Sequence, residues 1–163
     1  MGTSVRLVRV YYDGDTLCFN APLPLDRMKP GMEIVAKVSA TDASKIFSFC
    51  GVTGDLNPIH LRKSSAKRAG FSGVVLPGML TVSLALGILQ QSRIFSGPVL
   101  LEAHCRFIKP VYRDSKIVYT FRFAEVRVGK KDPLKTVVRL GFLVRKKEDL
   151  LAEGYLVLRV NSQ

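Results

Sequence analysis

Apolar and polar residues alternate in three segments of the second half of the chain. Their apolar members are Ile117, Tyr119, Phe121 and Phe123, then Val138, Leu140, Phe142 and Val144, and finally Leu156, Leu158 and Val160. A period of two indicates β-strands with one buried face. We therefore expect strands over 99–108, 117–128, 135–145 and 152–160, with a bulge near Ala124-Glu125 where the phase changes. Together they predict a long, curved antiparallel sheet.

The run 79–89 has a different pattern, because it is apolar on almost every face and only small hydroxyls interrupt it. A helix without a polar face is buried on all sides. The run is shorter than the roughly 20 residues that a membrane span needs, so the protein itself must cover it. We predict an α+β fold in which the curved antiparallel β-sheet wraps around this buried central α-helix. At 163 residues, one domain is expected.

Turn-forming residues divide the first third of the chain. Residues 5–19 predict a β-hairpin about Asp13-Gly14, which accepts the positive φ angles of tight turns. The Ala-Pro-Leu-Pro segment at 21–24 predicts a stiff connector, and Lys29-Pro30-Gly31 turns the chain into a strand over 33–38. We assign residues 1–29 to an N-terminal hairpin and connector, and residues 30–163 to the main domain.

Helical spacing appears between residues 41 and 70. Thr41 suits an N-cap, the apolar positions from Ala43 to Cys50 recur with a helical period, and Gly51 is expected to end that helix. A second short helix is predicted over 63–69. Between the two, Pro58 disfavours helical conformation at the residue before it, so we expect a loop over 55–60.

The chain is strongly basic, with 25 Lys and Arg against 13 Asp and Glu, a formal net charge of +12 and a pI near 10.0. Such a surface suits nucleic acid, the phosphates of coenzyme A, an acidic protein such as an acyl carrier protein, or solvent alone. The charges are scattered and no RNA-binding signature is present, so we do not expect a nucleic-acid partner. Three cysteines without ligand spacing favour neither a disulfide framework nor a zinc site.

Reactive side chains concentrate in one stretch, 49–60, where Asp55 and His60 flank an Asn-Pro step. An isolated Asp before Asn-Pro is typical of a turn, and an isolated His is more often structural than catalytic. When an acid and an imidazole lie on one short turn, however, they predict two proton-transferring groups that face the same point.

The motif Thr53-Gly54-Asp55-Leu56-Asn57-Pro58-Ile59-His60 resembles the hydratase signature of the MaoC-like family. That family comprises (R)-specific enoyl-CoA hydratases and 3-hydroxyacyl-thioester dehydratases with the hot-dog fold. The match includes the acid, the Asn-Pro step and the histidine at the same separation. The segments 77–80 and 106–111 resemble the family in order and spacing, and the likeness covers about residues 30–160.

The resemblance implies a reversible syn addition of water to trans-2-enoyl thioesters, which gives (R)-3-hydroxyacyl thioesters. By similarity, Asp55 and His60 share the catalytic water, and the backbone N–H of Gly78 is the oxyanion donor. Asn57 and Gly54 support the loop. Many relatives carry His where this chain has Pro77, a departure that bears on pocket shape. The chemistry needs no metal or redox cofactor, so acyl-CoA or acyl-ACP is expected only as substrate.

The same resemblance implies a homodimer and suggests a mitochondrial setting in fatty acid metabolism. Arg93, Arg106 and Lys109 are candidates to meet coenzyme A phosphates or an acyl carrier protein. His104 lies in a predicted strand, where a packing role is expected. Two alternatives stay open, namely a hot-dog acyl-CoA thioesterase and a non-catalytic hot-dog subunit of an RNA-containing or protein assembly.

Overall fold

A computed structural model describes residues 5–12, 15–17, 28–38, 42–92, 94–129 and 135–161. The elements within these residues, in chain order, are β1 (Val5–Tyr12), β2 (Asp15–Leu17), β3 (Glu33–Val38), α1 (Ala43–Thr53), α2 (Pro58–Leu61), α3 (Lys63–Arg68), α4 (Gly78–Gln91), β4 (Ser96–Phe107), β5 (Ile117–Val128), β6 (Lys135–Lys146) and β7 (Asp149–Asn161). In this described part of the chain, no helix is both long enough and apolar enough to cross a membrane.

The strands form one antiparallel sheet in the order β2-β1-β3-β5-β6-β7-β4. The N-terminal hairpin is part of this sheet, because β1 pairs with β3 as well as with β2. Its predicted turn at Asp13-Gly14 and the predicted connector at 21–24 lie outside the described residues. The expected turn before β3 is present, with Gly31 at φ 91° and the Met32 N–H donating to the Lys29 carbonyl at 3.3 Å.

The inner face of the sheet carries the core, and the alternating pattern predicted it. The alternating apolar residues of β5, β6 and β7 are all almost completely buried. The expected bulge in β5 is confirmed by a register shift between Phe123 and Glu125. The bulge lets Val126 and Val128 pair with Val138 and Thr136 of β6, whose side chains are both buried. One extra residue thus brings the apolar positions after the bulge onto the same face of the bent strand as those before it.

Helix α4 packs on this inner face. The hydroxyl of Tyr119 in β5 donates to the Thr81 carbonyl in α4 at 2.9 Å. Burial raises the pKa of the Tyr119 phenol far above its ordinary value, so the hydroxyl stays a donor at any physiological pH. Sheet and helix are therefore joined by a buried hydrogen bond near the start of α4.

The prediction that α4 is buried on all sides is wrong for the single chain. Met79 is 59% exposed, and Ser83 and Gln90 are exposed as well. Their spacing of four and seven residues puts them on one stripe of the helix. The sheet curves around only part of the helix circumference, so this stripe stays uncovered.

Helix α1 begins and ends one to three residues later than predicted. Asp42 is the N-cap, since its side chain accepts from the Lys45 N–H at 3.0 Å, whereas Thr41 lies outside the described residues. The helix passes through Gly51 and ends at Gly54, which has φ 73° and donates to the Cys50 carbonyl at 2.9 Å. Gly54 ends the helix because it adopts the left-handed conformation that glycine tolerates best.

Candidate active site

The Asn-Pro step starts a short helix and does not simply break one. The Asn57 side chain accepts a hydrogen bond from the Ile59 N–H at 3.2 Å, and Pro58 occupies the first turn of α2. Proline suits that position because no backbone donor is needed there. The expectation that Asp55 and His60 both lie on a loop is therefore right for Asp55 and wrong for His60, which lies in α2.

Asp55 and His60 come together as their spacing predicted. The Oδ2 atom of Asp55 lies 3.6 Å from Nε2 of His60. The imidazole is 10% exposed and the carboxylate 43% exposed, so the ring is nearly buried while the carboxylate is partly open to solvent. A distance of 3.6 Å is too long for a direct hydrogen bond, yet it allows one water oxygen to bond to both atoms.

A backbone carbonyl orients the imidazole of His60. Its Nδ1 atom lies 2.8 Å from the carbonyl oxygen of Val75. A carbonyl only accepts hydrogen bonds, so Nδ1 carries the hydrogen in the neutral ring and the Nε2 lone pair is free on the side of Asp55. The Val75 N–H in turn donates to the Ile59 carbonyl at 3.2 Å. Two hydrogen bonds therefore tie α2 to the segment that leads into α4.

That segment leads from the His60 contact at Val75 directly into the start of α4. Leu76 donates to the Val111 carbonyl at 2.7 Å, and the Arg113 N–H donates to the Val74 carbonyl at 2.9 Å. Gly78 follows Val75 by three residues, so the two Cα atoms are at most about 11 Å apart. Among the described residues, the Gly78 N–H has no hydrogen-bond acceptor. A free N–H at a helix N-terminus attracts negative charge.

An aromatic ring covers the start of α4. A Cβ atom added to Gly78 would lie 2.8 and 2.9 Å from Cζ and Cε2 of Phe107, distances that real Cβ contacts essentially never show. Phe107 is 49% exposed, so its ring forms a wall between Gly78 and solvent. Neither Phe107 nor Val75 was predicted from the sequence to be part of this site. The alternating pattern of a strand does not show which residue the ring of Phe107 packs over. No pattern of side chains identifies the Val75 carbonyl as a hydrogen-bond acceptor.

The remaining candidate residues lie elsewhere. His104 is exposed on the outer face of the sheet, where it stacks on Tyr155 with ring centroids 5.2 Å apart, so the packing role is confirmed. Arg106 pairs with Glu153 and Lys109 with Asp149. Arg93 lies outside the described residues. A groove on the outer face is lined by His104, Arg106 and Tyr155 among others, and it includes neither Asp55 nor His60.

Cys50 lies buried in α1 near the candidate site and is a free thiol. Burial, reinforced by the negative charge of Asp55, raises the pKa of its thiol. Because a thiolate is the nucleophilic form, a raised pKa makes Cys50 a poor nucleophile. The candidate chemistry therefore rests on Asp55 and His60.

Solved structures share this architecture. The (R)-hydratase from Aeromonas caviae involved in PHA biosynthesis superposes with a TM-score of 0.72 at 21% identity, over 82% of this chain and 98% of that chain. The R-hydratase PhaJ1 from Pseudomonas aeruginosa gives a TM-score of 0.75 at 20% identity, over 87% and 88% of the two chains. The fold is the hot-dog fold, as the alternating strands and the apolar helix predicted.

Curated relatives match at somewhat higher identity. A mitochondrial 3-hydroxyacyl-[acyl-carrier-protein] dehydratase from Solanum lycopersicum is 30% identical over 82 residues, which are 50% of this chain and 48% of that protein. The 3-hydroxyacyl-thioester dehydratase X of Mycobacterium tuberculosis is 34% identical over 90 residues, 55% of this chain and 31% of that protein. These matches span half or less of the relatives' own length. The MaoC like domain model matches residues 26–141, well over half of the chain, and the chain therefore belongs to the MaoC-like domain family.

Proposed function

We propose that this chain adds water to trans-2-enoyl thioesters to give (R)-3-hydroxyacyl thioesters, or catalyses the reverse dehydration. One observation carries the proposal: Nε2 of His60 and Oδ2 of Asp55 lie 3.6 Å apart, and the other ring nitrogen is tied to a carbonyl. Membership of the MaoC-like domain family supports it, as does the similarity to a protein named (R)-specific enoyl-CoA hydratase from Aeromonas caviae.

In the proposed reaction, a water held between Asp55 and His60 attacks C3 of the enoyl group. A C3–O bond forms while the C2–C3 π electrons move towards the thioester carbonyl and place negative charge on its oxygen. The pair takes the proton that the water loses, and the pair supplies a proton to C2, so the atoms of one water add across the double bond. Proton transfer of this kind typically contributes about 10²–10⁴ in rate.

We assign the developing charge on the thioester oxygen to the Gly78 N–H. This donor lies at the start of a 14-residue helix, whose dipole favours negative charge at that end. It has no acceptor within the described residues, so a substrate oxygen does not have to displace an internal partner. Asn57 and Gly54 act indirectly, since one caps α2 and the other ends α1, and together they hold Asp55 between the two helices.

A hydration assay with crotonyl-CoA tests this function. We expect the absorbance of the enoyl thioester to fall without any added metal or redox cofactor, and the product to be the (R)-3-hydroxy isomer by chiral analysis. Release of free coenzyme A without hydration would favour the hot-dog thioesterase instead. Absence of both reactions, together with salt-sensitive RNA binding, would favour the non-catalytic assembly subunit.

We further propose that the chain forms a homodimer through β4. This strand lies at the edge of the sheet and exposes Val99, Leu100, Leu101 and Phe107 by 40–54%. Met79 on the open stripe of α4 is also exposed, and α4 contacts β4. A long apolar edge strand presents unpaired backbone groups and favours pairing with another strand. A second copy related by a twofold axis pairs this edge and covers the stripe.

Light scattering at micromolar concentration should show a dimer for the unmodified chain and a monomer for Leu101→Glu, because the new charge would lie in an apolar interface. Val128→Glu is the matched control, since Val128 is 53% exposed at the end of β5 and should leave the dimer intact. A monomeric unmodified chain would contradict the proposal.

We also infer a mitochondrial setting in fatty acid metabolism. The support is that two plant relatives, from Solanum lycopersicum and Arabidopsis thaliana, are named mitochondrial 3-hydroxyacyl-[acyl-carrier-protein] dehydratases. Cell fractionation tests the inference, and recovery of the protein away from mitochondria would contradict it.

A further inference from the structure

Four positive charges follow His60 in the sequence. Arg62 is the N-cap of α3, and Lys63, Lys67 and Arg68 lie on that helix. All four are exposed. We call them the α3 cations.

The α3 cations are not neutralised by any acidic residue that the structure describes. None of them has a carboxylate within ion-pair distance among the described residues, and Arg68 bonds only to the Ser65 hydroxyl at 3.2 Å. By contrast, Arg106 and Lys109, the two described residues that the sequence suggested for a carrier, each have an acidic partner. The unpaired charge of the chain therefore includes a cluster beside the candidate site.

The packing of α2 and α3 turns these cations outward. Leu61 packs against the core and Ala66 is completely buried, so one side of the two short helices is anchored. Lys67 follows His60 by seven residues, which limits their Cα separation to about 25 Å, and the helical turns make the path shorter. Lys63 follows His60 by only three residues, which limits their Cα separation to about 11 Å, so a partner that contacts Lys63 is near the Asp55–His60 pair.

Exposed apolar residues occur on α1 and on the loop that joins it to α2. Helix α1 contacts α2, and Phe47, Val52 and Leu56 are 53%, 89% and 64% exposed in α1 and the following loop. Exposed apolar residues and unpaired cations in the same region of the chain are typical of a surface that binds another protein. A small phosphate ligand is usually held by convergent donors in a concave site, whereas the α3 cations are exposed side chains of a short surface helix.

We propose that the α3 cations dock an acidic carrier protein that delivers its thioester-linked acyl chain to Asp55 and His60. This inference rests on the proposed function for the identity of the cargo. The acidic surface of the carrier complements the four cations. Complementary charge speeds association and makes it sensitive to salt.

Two measurements test the docking surface in the full chain. The first is direct binding of an acidic acyl carrier protein at low and at physiological salt. The second is kcat/KM for the same crotonyl group on that carrier protein, on coenzyme A and on N-acetylcysteamine, the last of which has neither protein nor phosphate. The main variant is the triple charge reversal Lys63→Glu, Lys67→Glu and Arg68→Glu. Single Lys67→Glu is compared with Arg159→Glu, an exposed cation of β7 with the same change in charge.

We expect the triple reversal to weaken carrier binding and to lower kcat/KM for the carrier-linked substrate about 10–100-fold, because several complementary charges become repulsive. Turnover of the N-acetylcysteamine thioester should stay unchanged, and Arg159→Glu should leave both substrates unaffected.

The outcomes separate the two proposals. Equal carrier binding by the unmodified chain and the triple variant overturns the docking surface. An equal loss of crotonyl-CoA and carrier-linked turnover also overturns it, because the cations would then bind phosphate. If the unmodified chain turns over neither thioester, the hydratase proposal fails, while the binding measurement still decides the docking surface.

Discussion

Replacing Asp55 with Asn, or His60 with Gln, should lower kcat/KM for crotonyl-CoA hydration by about 10²–10⁴-fold and change KM little. Asn keeps the size and a hydrogen bond of the carboxylate but loses its charge, and Gln keeps a polar group but cannot take a proton. Because both groups are proposed to act on one water, the double variant should be little slower than either single variant. Initial rates at saturating and limiting crotonyl-CoA measure these effects.

Matched controls separate a catalytic role from a general loss of structure. His104→Gln changes an exposed histidine on the outer face of the sheet, and Asp149→Asn changes a surface carboxylate paired with Lys109. Both should keep kcat/KM within about twofold, since surface substitutions usually change stability by less than about 0.5 kcal/mol. Circular dichroism should match for all five variants, the double variant included. Unchanged kcat/KM for Asp55→Asn would remove this carboxylate from the mechanism.

Gly78→Ala should lower kcat/KM by about 10–100-fold, because misplacement near reacting groups by about 1 Å costs about that much. The added Cβ would lie 2.8 Å from Cζ of Phe107, so the half-exposed ring must move into the space above the helix N-terminus. The N–H donor remains, but the thioester oxygen approaches it less closely. The measurement is the same hydration assay over a range of substrate concentrations.

Two further variants identify the cause of that loss. Phe107→Ala combined with Gly78→Ala removes the clash and should restore most of the lost kcat/KM, a coupling that a double-mutant cycle measures. Gly87→Ala in the same helix is the control, because its nearest neighbour, Nε2 of Gln91, is 3.9 Å from the added Cβ. It should leave activity unchanged and stabilise the helix by about 0.5–1 kcal/mol. If Phe107→Ala does not restore activity, the ring is not the source of the loss.

The sequence pattern predicted some of the elements around the candidate site better than others. Alternation located the strands and the β5 bulge, since a two-residue period follows directly from burial of one face. The helix ends were less well predicted. Gly51 and Gly54 look alike in the sequence, and only the left-handed conformation of Gly54 made it the end of α1.

Contacts between neighbouring strands could not be predicted from the sequence pattern alone. A Cβ on Gly154 would lie 2.0 Å from the His104 carbonyl, whereas one on Gly141 would meet nothing closer than 3.9 Å. Both glycines occur within strand sequences, so local propensity treats them alike. The difference arises from how closely β7 and β4 approach each other at that residue pair, which depends on the register of the whole sheet.

The sequence by itself determined the hot-dog architecture, the apolar helix α4 and the pairing of Asp55 with His60, because these follow from periodicity and from spacing over a few residues. Only the tertiary structure decided the tautomer-setting bond from His60 to Val75, the ring of Phe107 over Gly78 and the open stripe of α4. It also decided that Arg106 and Lys109 have acidic partners, while the α3 cations have none among the residues that the structure describes. Each of these depends on residues from 15 to 47 positions apart or on surface left uncovered, and such contacts exist only after the chain has packed.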